Sequence, residues 1–362
     1  MAGAGDKIDG VNRDYIQYDQ VQKDQVYRLA EAAGEEAFDE DFEIKTCDIG
    51  PFLHGGPREK AEFAQQLGSA MEEIGFAIIT GHGIETELYA QTKDLVQKFF
   101  ATTTLEERMA YRAARFGSVN QGYFPIEQTS QMHPDLVEGW VFCRRAFDLD
   151  GTSDFAPENF WPSPAFEPQF RRYVTRHESL FLPLMQAMLM HLGCDPHQYD
   201  QKLTGTNFGF RLNYYPPISP EQQASGAGRI LGHEDVDLFT LLAAPDIEGL
   251  QVLNRRNFKW IRLDAPPGSI IINTGDYMQR ISNDRYPSTT HRVSKPRDPQ
   301  LLKLPRISFP IAVYVWEDEV LEVLPELPSP KYDPIKAVHF HTAITSKYYG
   351  DDYGVSDSRD QA

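Results

Sequence analysis

Between Thr206 and Val315, short β-prone runs alternate with Gly, Pro, Asn and Asp at intervals of roughly ten residues. The runs are Phe208–Tyr215, Phe239–Ala243, Leu250–Asn254, Trp260–Leu263, Ser269–Asn273, Ser288–Val293 and Ile307–Val315. Many short strands with Gly and Pro punctuation bury their apolar faces by pairing and folding back on one another. The texture predicts a mainly β unit with flanking helices, a β-sandwich or jelly roll.

The flanks have the other periodicity. Phe63, Leu67, Met71 and Ile74 recur at helical spacing from Pro57 to about Gly75. Phe76–Thr80 then reads as a short buried strand that joins the main sheet, ended by Gly81, His82 and Gly83. Helices are expected over 86–100 and 166–192. The second carries Phe170, Val174, His177, Phe181, Leu184 and Met188 on one face, with a kink at Pro183. Residues 117–165 read as an extended, partly strand-forming excursion, and helical character returns near 334–349. The expected divisions are an acidic extension over 1–45, a largely helical region over 46–205 packing on the barrel, a jelly-roll core over 206–316, and a helical segment and tail over 317–362. The extension holds 12 acidic and 5 basic residues, and its run Glu35–Glu43 is expected to pack only through its aromatics.

Composition narrows the function. The formal charge of −18 makes phosphate backbones and anionic membranes poor partners, so neither nucleic acid nor membrane is expected. Cys47, Cys143 and Cys194 lie far apart with no C-x-x-C, which fits a reducing compartment, with the cytoplasm as the expected location and Cys143 and Cys194 as buried thiols. No signal-like apolar run opens the sequence, and no stretch approaches the ~18 apolar residues of a membrane span. Neither a phosphate-binding glycine loop nor a G-x-S-x-G elbow occurs.

The chemistry-bearing segment is His233-Glu234-Asp235, with Thr289-Thr290-His291-Arg292-Val293 far downstream. In an extended strand His233 and Asp235 project to one face and can grip one ion, while Glu234 points away. His291 from another strand completes two neutral nitrogens and one carboxylate. On octahedral iron(II) such a set leaves positions open for a bidentate cosubstrate and dioxygen. An isolated H-x-D also suits two hydrogen-bonded core histidines, and the surrounding motifs decide between these readings.

Those motifs run from about residue 46 to 350. They are Cys47–Phe52, Gly75–Ile84, Arg211–Pro217, His233–Asp235 with Phe239–Leu242, Gly249–Val252, Pro267–Ser269, Gly275-Asp276, Ser282-Asn283, His291–Val293 and Arg306–Ser308. In this order they resemble the isopenicillin N synthase-like family of iron(II)- and 2-oxoglutarate-dependent oxygenases. The resemblance implies a distorted jelly roll, or double-stranded β-helix, with His233, Asp235 and His291 as catalytic iron ligands. It implies Fe(II), 2-oxoglutarate as cosubstrate, and O2. Arg306 and Ser308 resemble the R-x-S pair for the distal carboxylate of 2-oxoglutarate, chemistry that suits a guanidinium fork plus a hydroxyl. Asn213 and Tyr215 match residues that approach the cosubstrate. His82 matches a structural turn, and His339 and His341 lie in the stretch resembling the family's last helix.

The activity so implied is oxidation of an unactivated C–H bond of a small molecule: hydroxylation by default, with desaturation or ring closure as variants. Two alternatives stand beside it, an iron(II)/O2 oxidase without 2-oxoglutarate and a catalytically silent ligand-binding relative. Candidate pocket residues are Tyr123, Phe124, Phe142, Arg144 and Phe239. Arg211 alternates onto the face of Asn213 and Tyr215. An inward arginine is costly without a partner, so it pairs either with a protein carboxylate or with an anionic group of the substrate, with Arg144 as a candidate second cation.

Overall fold

The computed structural model describes residues 37–116, 119–126, 135–147, 160–205, 207–224 and 228–349. The strands are β1 (Thr46–Asp48), β2 (Phe76–Thr80), β3 (Ala114–Phe116), β4 (Val119–Phe124), β5 (Glu138–Cys143), β6 (Phe208–Tyr215), β7 (Ile230–His233), β8 (Phe239–Ala243), β9 (Leu250–Asn254), β10 (Lys259–Arg262), β11 (Ile270–Thr274), β12 (His291–Val293), β13 (Arg306–Ser308), β14 (Pro310–Val313), β15 (Val320–Leu321) and β16 (Ile335–Lys336). The major sheet runs β1-β2-β11-β8-β14-β6-β5-β4-β3, with β13 also on β6; the minor sheet runs β10-β9-β12-β7. The N-terminal strand β2 does join the main sheet, antiparallel to β11.

Alternation divides each inner strand between two cores. Ile270, Ile272, Leu241, Ala77 and Ile79 face the helices, within the large core cluster. Their neighbours Ile271, Leu242, Phe76 and Ile78 face the minor sheet, where they meet Leu250, Val252, Ile261 and Leu263. This second cluster plugs one end of the space between the sheets. Polar residues of the same strands occupy the other end.

Four long helices cover the major sheet: α1 (Pro57–Ile74), α2 (Thr86–Thr102), α3 (Phe166–Glu178) and α4 (Phe181–Leu192). Gly75 ends α1 at φ +72°, and a Cβ there would stand 2.4 Å from the Pro287 carbonyl, so glycine alone fits this turn. The continuous helix expected over 166–192 is two helices, parting at Ser179 and Leu180. Pro183 does not kink it: the residue sits in the first turn of α4, where its missing N–H has no intrahelical partner to lose. The final run is likewise split. Arg306, Ser308 and Ile311 keep one register against Tyr215, Asn213 and Phe210, but Pro310 has no N–H, and the ladder lapses at Phe309. A last helix, α5 (Ala337–Tyr349), follows β16.

The acidic arm packs through more than its aromatics. The Trp260 N–H donates to the Ala37 carbonyl and the Asp39 N–H to the Trp260 carbonyl, so residues 37–39 lie parallel along the outer edge of β10. The Arg262 guanidinium covers the Phe38 ring at 3.5 Å, and Asp39 accepts hydrogen bonds from Asn254 and Asn257. The remainder of the extension, residues 1–36, lies outside the described residues. No helix among the described residues is long and apolar enough to cross a membrane.

Candidate active site

Strands β7 and β12 pair antiparallel with His233 opposite His291, and the two imidazole centroids lie 4.4 Å apart. The strand geometry expected for His233 and Asp235 needs one correction: β7 ends at His233, and Asp235 lies in the loop beyond it. Nε2 of His233 is 3.7 Å from Asp235 Oδ1, and Nε2 of His291 is 3.9 Å from Asp235 Oδ2. Among the described residues these three form the one His/Cys/Asp/Glu group able to hold a metal, with donor atoms within 4.8 Å of one another.

Each donor is oriented from behind. Nδ1 of His233 lies 2.9 Å from the Leu231 carbonyl, and Nδ1 of His291 lies 3.0 Å from the Thr289 carbonyl. A carbonyl can only accept, so each Nδ1 carries the proton and each Nε2 offers its lone pair to the shared space. The Phe76 ring meets His291 edge-on at 5.3 Å. Asn273 and Thr240 each hold Asp235 Oδ2 at 2.8 Å, leaving Oδ1 for a cation. Burial raises the Asp235 pKa, but His291, His233, Asn273 and Thr240 together bring it below the usual carboxylate value.

Beneath it, burial and the Asp235 charge push Asp237 well above that range. The Thr240 hydroxyl, which holds Asp235, also lies 2.6 Å from Asp237 Oδ2. Reading the sequence missed Thr240, Asn273 and Asp237. Their signal was a polar residue on the inward face of an apolar strand, Thr240 in Phe239–Ala243 and Asn273 in Ile270–Thr274.

A second polar group lies where β13 meets β6. Arg306 is 2% exposed, opposite Tyr215, and Ser308 is opposite Asn213. The Arg306 Nε donates to the Ile247 carbonyl at 3.1 Å, and the guanidinium sits 5.0 Å from the Tyr215 ring. Burial lowers the Arg306 pKa, opposed by Tyr215. Its Nη1 has no hydrogen-bond partner, and neither has the buried Asn213 Oδ1. No protein carboxylate pairs with Arg306 among the described residues. A buried cation with an unsatisfied donor fits a ligand carboxylate, and the two-histidine, one-carboxylate set fits iron(II).

Two residues further along β6, Arg211 shares the face of Asn213 and Tyr215. Its guanidinium lies 4.9 Å from the Phe124 ring, its Nε is buried without a partner, and it forms no ion pair among the described residues. Among the described residues, then, no protein carboxylate takes up its charge. Phe124 belongs to an apolar wall with Val137, Tyr215, Ile230 and Val293.

The other pocket candidates need correcting. Tyr123 pairs with Trp140 and Phe142 with Phe210, on the face of those strands turned toward the helices. Tyr123 donates to Glu138, which Arg108 also approaches at 3.3 Å. Phe142 packs among Phe147, Trp161, Phe170 and Phe210. Phe239 meets Phe181 of α4, and Arg144 is engaged by Glu178.

His82 is structural: it accepts from the Ile84 N–H and donates to the Gly268 carbonyl. His341 packs against Tyr277 and Tyr314, His339 lies on the same helix, and neither belongs to the donor group.

Comparison with known proteins gives two family matches. Residues 44–164 match the family described as non-haem dioxygenase in morphine synthesis N-terminal, and residues 206–311 match the 2OG-Fe(II) oxygenase superfamily. A 2-oxoglutarate-Fe(II) type oxidoreductase, hxnY, of Emericella nidulans is 29% identical over 84% of this chain and 89% of its own length. The proline hydroxylase buaE of Petromyces alliaceus is 30% identical over 70% of this chain and 82% of its own. Among solved structures, a Neurospora crassa protein in complex with alpha-KG and thymine superposes with a TM-score of 0.73 at 23% identity, covering 87% of this chain and 100% of that one.

Proposed function

This chain belongs to the 2OG-Fe(II) oxygenase superfamily, and from that premise we propose that it oxidises an unactivated C–H bond of a small metabolite carrying a carboxylate or similar anion. It is a non-haem iron(II) dioxygenase with 2-oxoglutarate as cosubstrate and O2 as oxidant. In the proposed assignment His233, Asp235 and His291 hold the iron. Bound iron and 2-oxoglutarate supply dioxygen activation and hydrogen abstraction, and the cosubstrate leaves as succinate and carbon dioxide.

The chain's own residues do the positioning. Leu231 and Thr289 carbonyls fix the tautomers of the two histidines. Asn273 and Thr240 aim one oxygen of Asp235 at the cation. Arg306, with Ser308, receives the distal carboxylate of the cosubstrate, and Asn213 and Tyr215 line its flank. The observation that carries the reading is the buried Arg306, whose Nη1 and positive charge meet no protein anion among the described residues.

Arg211 supports the substrate's charge. Resting on Phe124 beside an apolar wall, the guanidinium can turn its edge toward a carboxylate while the wall takes the substrate's carbon skeleton. One relative is named a proline hydroxylase, and proline as a free amino acid carries such a carboxylate. Hydroxylation is the default outcome.

The test is incubation of the iron-loaded protein with labelled 2-oxoglutarate and a metabolite extract. Labelled succinate should form in step with a product heavier by one oxygen, and the consumed compound should be an acid. Full product formation without 2-oxoglutarate would move the protein to the oxidase alternative.

A further inference from the structure

The two segments that carry the donors are joined by little backbone. His233 is the last residue of β7, Asp235 lies past it, and the β7–β12 pairing shifts register between His291 and Val293. That shift lies on the Ile230 side of the His233–His291 pair; on the other side the pairing stops, since β7 ends at His233 and β12 begins at His291. Ser288 Oγ approaches the Asp235 carbonyl at a long 3.4 Å. The short contact is the one behind the site: Thr290 Oγ1 donates to Glu234 Oε1 at 2.8 Å. Glu234 is 6% exposed and Thr290 3%.

Glu234 is the chain neighbour of His233 and Asp235, and Thr290 is the chain neighbour of His291. Their hydrogen bond therefore links the chain on either side of Glu234, which carries two donors, to the residue preceding the third. A hydrogen bond to a buried carboxylate is stronger than a neutral one, which makes it a suitable tie where the ladder has ended.

We infer that Glu234 and Thr290 are positioning residues that set the spacing of the metal donors, and that the middle residue of His233-Glu234-Asp235 is in this way part of the metal centre's support without touching the metal. The inference rests on the proposed assignment of the donors to a cation.

Cobalt(II) alone, added to the metal-free full chain, tests it through the visible absorption of the bound ion. Removing the tie with Glu234→Ala or Thr290→Val should weaken cobalt binding by about tenfold, the scale seen when a partner behind a metal ligand is lost, and alter the band shape. Glu234→Gln keeps an acceptor and Thr290→Ser keeps the donor, so both should restore affinity and spectrum. The double variant Glu234→Ala with Thr290→Val should be no weaker than the worse single one, because both remove the same contact.

Unchanged cobalt affinity and spectrum in both Glu234→Ala and Thr290→Val, with unfolding temperatures near wild type, would overturn the inference. Additive losses in the double variant would overturn it as well. Failure of the wild-type chain to bind cobalt, or binding insensitive to Asp235→Ala, would instead overturn the donor assignment itself.

Discussion

At the scale of single residues, the site is built from polar groups whose partners are either fully supplied or conspicuously missing. The donors of His233, Asp235 and His291 are held from behind by carbonyls, an amide and a hydroxyl. Replacing any of the three with Ala should abolish turnover and iron retention, measured by metal analysis after gel filtration, because two ligands rarely hold a labile divalent ion. Arg306 is the reverse case. Among the described residues it meets the Ile247 carbonyl and the Tyr215 side chain, and no anion. Arg306→Leu should cost 2-oxoglutarate binding roughly 3–5 kcal/mol, since a buried carboxylate would lose its charge partner. Titration of 2-oxoglutarate against succinate release reads this directly, and an unchanged half-saturation would refute the role. Arg211→Met should weaken substrate binding while calorimetry finds 2-oxoglutarate affinity close to wild type. Equal loss of both would assign Arg211 to the cosubstrate.

At the scale of elements, the docked arm makes a prediction of its own. Residues 37–39 occupy the outer edge of β10, and an uncovered strand edge is a template for another chain. Deleting residues 1–43 should shift the protein toward larger species in light scattering, compared with the full chain. An unchanged mass would show that the edge is protected in some other way. The strands themselves were largely legible: Phe208–Tyr215, Phe239–Ala243 and Leu250–Asn254 have the bounds that their alternation and flanking turns suggest. Register was not legible, and register decides which aromatics see the cavity. Nothing local to Val141 and Phe142 says that Val141 will oppose Arg211 while Phe142 opposes Phe210. Tyr123 and Phe142, two aromatics expected in the pocket, thus face the helices. The α3–α4 break is hidden in the sequence for a similar reason, because the apolar spacing continues across Ser179 and Leu180. The donors were legible because their signal is residue type in order along the chain, whereas Thr240, Asn273 and the Glu234–Thr290 tie emerge only when strands from distant sequence are set side by side.

At the scale of the whole molecule, stability should be sensitive to mild acid. His177 is fully buried, and burial pushes its pKa down to about 4. His341, half-buried against Tyr277 and Tyr314, is pushed the same way, though its contact with solvent damps its share. A free histidine takes up its proton near pH ~6.5. Between about pH 6.5 and 4 the unfolded chain therefore binds protons that the folded chain refuses, so stability falls as pH falls through that window. His177 can contribute up to a few kcal/mol, which is a large share of a typical folding free energy. Urea midpoints at pH 7 and pH 5 should differ accordingly. His177→Leu should make the dependence shallower, whatever it does to the midpoint at pH 7; a slope equal to wild type would refute the assignment. The charge of Arg306, which meets no anion among the described residues, has a consequence at this same scale. A cosubstrate that binds the folded chain and not the unfolded one adds to stability with the logarithm of its concentration, by about 2.7 kcal/mol at a hundredfold excess over its dissociation constant. Scarcity of 2-oxoglutarate would then do more than slow the reaction: it would leave a larger fraction of the chains open to proteases, so that the amount of this protein in a cell would follow the supply of the acid it consumes.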